Sequence, residues 1–384
     1  MIQRKIRSKV LELSRYYPII TITGPRQSGK TTLVQQLFPN KPYVLLENPD
    51  VRQRVEDDPL SFLAKYPEGA IFDEVQNTPF LFSYLQGVVD GNKEIQFVLS
   101  GSQNFLLLEQ INQSLAGRTA IIKLLPFSLE ELELNKNSDP FSFIFKGMYP
   151  PIYDRSIPPA DFYDNYIQTY VERDVRNIKN IGSLSDFRRF LSLCAGRIGQ
   201  ILNLNSLATE SGVSLNTAKS WISILEASYI LYTLQPHHKN FNKRIVKRPK
   251  IYFYDTGLAC SLLRIRTEEE LDLHFARGSL FENFIINELL KNRWNRGEQS
   301  NLYFWRNKHG KEIDCIVEKA NNLLGIEIKA SKTYRSDFFK NLIYWKKLSG
   351  KSVDTLFVVY AGSENDKMAN GNLLSWKRLN ELEY

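Results

Sequence analysis

Three stretches of this 384-residue chain carry the residue types and spacing that chemistry on phosphates requires. The first is Gly24-Pro25-Arg26-Gln27-Ser28-Gly29-Lys30-Thr31, followed by Thr32, which fits the pattern GxxxxGK[ST] at every fixed position. Such a loop turns successive backbone N–H groups inward to cradle phosphates, and the helix it opens adds positive potential at its N-terminus. Lys30 then reaches the β- and γ-phosphates and Thr31 offers its hydroxyl to Mg²⁺. The expected ligand is ATP with Mg²⁺. The second stretch, Ala70-Ile71-Phe72-Asp73-Glu74, is an apolar run that ends in two acids. Asp73 is expected to hold the magnesium through water, and Glu74 to orient and deprotonate the attacking water. Ile95–Gly101 runs into Ser102 and Gln103, either of which is a candidate to stand between the acids and the γ-phosphate; a simple turn is the plain alternative. Arg118, in SLAGRT, is the candidate arginine for the γ-phosphate in cis or in trans, set against an ordinary surface arginine.

The third stretch lies near the other end. Glu327-Ile328-Lys329 sits in the apolar run LLGIEIKAS, where residues two apart on a strand share a face. Asp314 interrupts the apolar run IDCIV, and Glu282 lies on a helix whose Phe281, Phe284 and Ile285 supply a buried face. Two carboxylates beside a lysine suit phosphodiester hydrolysis. Asp314 and Glu327 would hold a second divalent ion, Mg²⁺ or Mn²⁺, Lys329 would stabilise developing charge, and Glu282 would orient metal-bound water. The alternative is a fold that keeps these residues for salt bridges and cleaves nothing. His237 and His238 are adjacent, point apart on a strand, and read as surface residues.

Positioning the first set requires a parallel sheet. IITITG (19–24), YVLLE (43–47), AIFDE (70–74), IQFVLSG (95–101) and AIIKLL (120–125) read as strands separated by helices, which implies an α/β sheet covered on both faces. NSDPFSFIFKGMYPPIYDRSIPPA is rich in turn formers and reads as a connection. Residues 160–200 read as helical, with Phe187, Phe190, Leu191 and Cys194 forming a buried stripe. LNSLATES, GVS and LNTAKSWISILEASYIL read as helix, turn and helix, with a small core of Leu207, Val213, Trp221, Ile222 and Leu225. The basic run containing Lys243, Arg244, Lys247, Arg248 and Lys250 then leads into a β wing, IYFYDTG, and is the expected contact with DNA. The last hundred residues alternate as α/β with hairpin-like pairs. The resulting division is 1–150 for the nucleotide-binding α/β domain, 151–203 for a helical linker or lid, 204–264 for the helix–turn–helix module with its wing, and 265–384 for the C-terminal α/β domain.

Composition bounds these readings. With 43% hydrophobic and 24% charged residues the chain is of ordinary globular type. The surplus of 50 basic over 42 acidic residues gives a charge of +8, which attracts nucleic acid and anionic membranes alike. Cys194, Cys260 and Cys315 form no CxxC pair, so neither a zinc site nor a disulfide framework is expected. No apolar run reaches the roughly 18 residues of a spanning helix, and no signal-peptide core follows the basic N-terminus. The expected location is the cytoplasm, with no membrane partner. A homo-oligomer stays open, since Arg118 would need one to act in trans.

The motifs GPRQSGKTTL, IFDEVQ, LSGSQN, SLAGR with LPFSLEEL, YVERDVRNI, RGSLFENF, EIDCIVE and GIEIKAS together resemble the AAA+ ATPases of the AAA_14 plus DUF4143 architecture. The resemblance covers nearly the whole chain. It implies a P-loop α/β core, a winged-helix module and a C-terminal fold similar to PD-(D/E)xK nucleases. It departs from many AAA+ proteins at the third strand, where Ser102 or Gln103 stands in place of asparagine. The function expected on these grounds is ATP hydrolysis that drives or gates a nucleic-acid-directed output, DNA cleavage included. The rival is an ATP-controlled signalling or protein-remodelling switch whose C-terminal domain is catalytically silent.

Overall fold

All five expected strands of the first domain form: β1 (Ile19–Thr23), β2 (Tyr43–Leu45), β3 (Ile71–Asp73), β4 (Phe97–Gly101) and β5 (Thr119–Lys123). They make one parallel sheet in the order β2-β3-β4-β1-β5. Alternation explains why they are apolar throughout. Ile19, Phe72, Phe97 and Leu99 face one core, while Ile20, Ile22, Ile71, Val98 and Ile122 face another built with Ile6, Val10, Leu33 and Val34 from two helices. The computed structural model describes residues 2–102, 114–171, 183–237, 246–319 and 322–382. Gln103, His238, Lys243, Arg244 and most of the YVERDVRNI motif lie outside them.

The stretch read as a connection is instead helical and buried. Helices Pro140–Lys146, Pro150–Asp154 and Pro159–Tyr166 each carry proline in the first turn, where a missing N–H costs nothing. The prolines that looked like breakers are starters, and Phe141, Ile144, Tyr149, Ile152, Phe162 and Tyr163 pack into the main core. A π-helical turn follows over Ile167–Val171. Phe187, Phe190, Leu191 and Cys194 are buried on the helix Leu184–Ala195, as their spacing requires.

Helices Leu204–Ser211 and Leu215–Ala227 are joined through Gly212 in the left-handed region, with φ 78°, and Ser214 caps the second. A hairpin of β6 (Leu231–Leu234) and β7 (Lys250–Phe253) follows. The C-terminal sheet contains β8 (Leu302–Arg306), β9 (Glu312–Lys319), β10 (Asn322–Lys329), β11 (Leu356–Tyr360), β12 (Asp366–Met368) and β13 (Gly371–Ser375) in the order β12-β13-β11-β10-β9-β8. β8, β9 and β10 are antiparallel neighbours, whereas β10, β11 and β13 run parallel. The helix Arg277–Asn295 packs against this sheet and is buried along most of its length. Among the described residues no helix is long and apolar enough to cross a membrane.

Candidate nucleotide site and C-terminal acid cluster

The strand order places three loops side by side at the carboxyl edge of the first sheet, where α/β proteins bind ligands. Ser100 of β4 pairs with Ile22 of β1 on one side and with Asp73 of β3 on the other. The loop after β1 is therefore separated from Asp73 by one strand only. Gly24 adopts φ 155° because a Cβ there would lie 2.1 Å from the Leu124 carbonyl oxygen; no other residue fits against that backbone. Gly29 adopts φ 91° and caps the helix Lys30–Leu37.

Lys30 is buried and its ammonium donates to the Gly24 and Pro25 carbonyls at 3.1 and 2.8 Å, inside the curve of the loop. Thr31 Oγ1 donates to Asp73 Oδ2 at 2.6 Å, and the Tyr43 hydroxyl donates to the same oxygen at 2.8 Å. Burial and then the Asp73 charge push the Tyr43 phenol well above its ordinary value. Glu74, at φ 55°, is held in a conformation that costs a non-glycine residue on the order of 1 kcal/mol. Its Oε2 accepts from Gln76 Nε2 and, at 3.3 Å, from Ser102 Oγ. Ser102 therefore stands beside the second acid. The oxygen donors of Thr31 and Asp73 are of the hard type that Mg²⁺ prefers.

A cleft of about 510 Å³ opens over this set, lined by Arg26, Gln27, Lys30, Thr31, Thr32 and Glu74 and, from the following helices, by Pro150, Arg155 and Tyr170 among others. Arg155 forms no ion pair among the described residues. Tyr170 receives a hydrogen bond from Gln27 Nε2 at 2.9 Å, and the Arg26 guanidinium lies 5.3 Å from its ring centre. Sequence reasoning missed Tyr43, Gln76, Arg155 and Tyr170. Gln76, two places after the acid pair in IFDEVQ, and Tyr170, the first residue of YVERDVRNI, left a signal.

Arg118 does not belong to this site in cis. The parallel register sets Thr119 beside Ile19, at the edge of the sheet opposite the phosphate loop. Five strand residues intervene, about 16 Å at the rise of a β-strand. Its guanidinium makes a two-pronged contact with Asp90 at 2.6 and 2.7 Å.

The C-terminal candidates do come together. Lys329 Nζ donates to Glu327 Oε2 and lies 3.8 Å from Asp314 Oδ2, which also accepts from Ile328 N at 2.8 Å. Two further groups join from β7: Lys250 Nζ donates to Glu282 Oε1 at 2.9 Å and contacts Glu312, and the Tyr252 hydroxyl donates to the same Glu282 oxygen. Lys250 is 1% exposed. It is thus an internal counter-ion, not part of a DNA-contacting run, whereas Lys247 and Arg248 are exposed. His237 is likewise buried, with its backbone N–H on the Phe304 carbonyl, its ring edge-on to Tyr303 and Nε2 3.8 Å from Glu318; the chain leaving β6 docks beside β8 and removes it from the surface. Among the described residues no three His, Cys, Asp or Glu side chains form a group that could hold a metal ion. The acids face the Lys250 and Lys329 ammonium groups.

Two ammonium groups, Lys250 and Lys329, shared among Glu282, Glu312, Asp314 and Glu327 leave charge unpaired. Burial pushes Glu282 up to about 7, with the Asp314 charge adding to it and Lys250 opposing. Burial and Asp314 push Glu327 up to about 8 against Lys329. A carboxyl raised on folding stabilises the fold fully below its ordinary pKa of 4.5, and that stabilisation is lost as pH rises through about 7. The melting temperature is therefore expected to fall between pH 5 and pH 8, and Glu282→Gln to flatten the fall. An unchanged slope in that variant would remove Glu282 as its source.

The helix that bears Glu282 also reaches the nucleotide domain. Lys291 Nζ donates to the Phe127 carbonyl at 2.8 Å and to Glu288 at 2.8 Å, and Glu288 Oε2 accepts from Leu129 N at 2.6 Å. All of these groups are buried.

Comparison with known proteins agrees with this layout. Residues 16–133 match the family described as AAA domain, residues 138–269 a domain of unknown function (DUF8612), and residues 277–379 another (DUF4143). Uncharacterized proteins of Mycobacterium tuberculosis and Mycobacterium bovis are each 30% identical over 321 residues, 82% of this chain and 71% of theirs. One of Haemophilus influenzae is 23% identical over 68% of this chain and 69% of its own. A Walker-type ATPase of Pyrococcus abyssi is 14% identical and superposes over 68% of this chain and 96% of its own with a TM-score of 0.49, too loosely to bear on function. The AAA domain in front, the DUF4143 domain behind and relatives matched along most of their length lead to one conclusion: the chain belongs to the family of AAA-type P-loop ATPases that carry a C-terminal DUF4143 domain.

Proposed function

We propose that the protein is an ATP-driven switch, in which hydrolysis at the edge of the first sheet changes how the C-terminal domain is held. The observation that supports this most is the convergence of Thr31, Asp73, Glu74 and Ser102 beside the phosphate loop. Residues 24–32 bind the triphosphate through backbone N–H groups and the Lys30 ammonium. Thr31 and Asp73 would hold Mg²⁺, which would offset the negative charge of the phosphates. Glu74 accepts a proton from the water that attacks the γ-phosphorus, ADP leaves with the bond electrons, and phosphate is released. Ser102 orients Glu74, and Arg155 faces the phosphate cleft as an added cation.

Transmission would run through the buried contacts of Phe127 and Leu129 with Lys291 and Glu288. Lys250, which enters the acid cluster from β7 and pairs with Glu282 and Glu312, favours a C-terminal domain that binds and does not cleave. A nucleic-acid-directed output is the second reading, supported by the helix–turn–helix with its exposed Lys247 and Arg248. Phosphate release by the full chain, with and without single- and double-stranded DNA, separates the two. Turnover that DNA leaves unchanged supports a protein-directed switch; stimulation by DNA supports the second reading; no turnover under any condition contradicts both.

A further inference from the structure

Arg4 precedes every motif described above, yet it touches the phosphate loop. It is 8% exposed, and all three of its guanidinium nitrogens donate. Nη1 donates to the Ser28 carbonyl at 2.7 Å, Nη2 to the Leu125 carbonyl at 2.5 Å, and Nε to Glu131 Oε1 at 3.0 Å. The Phe127 ring centre lies 5.0 Å from its Cζ. Glu131 is buried with it and also accepts from Lys5 N and Ser128 N, at 2.7 and 2.8 Å.

We propose that Arg4 is a positioning residue of the nucleotide site, which fixes the peptide between Ser28 and Gly29 so that its N–H faces the phosphates. The proposal rests on the reading of residues 24–32 as an ATP site. In a trans peptide the carbonyl and the N–H point in opposite directions. Holding the Ser28 oxygen on the outer side of the loop turns the Gly29 N–H to the inner side. Leu125 supplies the fixed end of the brace, since it follows Leu124, against whose carbonyl Gly24 already packs. Arg4 thus ties the far end of the loop, at Ser28, to the same backbone that supports its near end at Gly24. A buried guanidinium needs a counter-charge, and Glu131 provides it without taking the two nitrogens that hold carbonyls. Lysine cannot do the same work: a single ammonium lacks the planar fork that reaches two carbonyls and a carboxylate in fixed directions. The brace also ends on the segment 125–131 that the Glu288–Lys291 pair grips from the C-terminal helix.

The test is calorimetric titration of the full chain with Mg²⁺ and ATPγS, together with steady-state ATP turnover. Loss of charged hydrogen bonds to the loop should weaken binding about tenfold or more in Arg4→Ala. KM should rise by a similar factor, with kcat at saturation within about twofold of wild type, because Lys30 and Glu74 remain. Millimolar guanidinium should restore affinity in Arg4→Ala, whereas general destabilisation would not respond to it. Arg4→Lys should remain weak, and it is read in place of Arg4→Ala if the alanine variant does not fold. Wild-type affinity in whichever variant folds overturns the proposal, as does a folded alanine variant that guanidinium leaves weak. Wild type that binds no ATPγS overturns the ATP-site reading itself, and this proposal with it.

Discussion

Glu74→Gln is expected to bind Mg-ATP as wild type does and to lose turnover by about 10²-fold or more, the range for a positioned general base. The amide keeps the size and most of the hydrogen-bonding capacity of the carboxylate, including the contacts with Gln76 and Ser102, but takes no proton from water. Lys30→Ala is expected to fail one step earlier. Its ammonium rests inside the curve of the loop, on the Gly24 and Pro25 carbonyls, and the phosphates would compete with those carbonyls for it. Equilibrium binding of labelled ATP and single-turnover phosphate release distinguish the two failures. Equal release by wild type and Glu74→Gln would contradict the roles given to these residues.

The second large effect concerns stability. Lys250→Ala should cost about 3–5 kcal/mol, because it leaves Glu282 and Glu312 without the ammonium buried between β7 and the C-terminal domain. Lys247→Ala and Arg248→Ala, on the exposed approach to the same strand, should cost less than about 0.5 kcal/mol each. Urea denaturation of the three variants makes the comparison. A loss at Lys250 as small as at its neighbours would mean that the cluster tolerates the missing charge and that the counter-ion assignment is wrong.

What the sequence revealed, and what it hid, follows from how far apart the cooperating residues lie. The phosphate loop was legible because its glycines, lysine and threonine do their work within eight consecutive residues. The five strands were legible because a parallel sheet buried on both faces needs unbroken apolar runs. Arg4 was not, since its partners Leu125 and Glu131 stand more than a hundred positions away. Lys250 was misread for a different reason. A lysine in a basic run looks the same whether it points to water or to Glu282, and only the fold shows that Lys250 and Tyr252, two apart on β7, converge on one carboxylate oxygen. The prolines at 140, 150 and 159 misled because proline begins helices as readily as it ends them. In the C-terminal domain the pairing of Glu327 with Lys329, two apart on β10, was readable from strand spacing. The second lysine that fills the cluster came from another module and was not.

A switch of this kind requires that nucleotide at the first sheet alter the C-terminal domain through the segment 125–131 and the helix Arg277–Asn295. Amide hydrogen exchange of the Glu74→Gln chain, with and without Mg-ATP, tests it most directly. The expected result is slower exchange in the phosphate loop on binding, accompanied by a change in 127–131 and along Arg277–Asn295. Protection confined to the loop and the strands around it, with that helix unchanged, would contradict it.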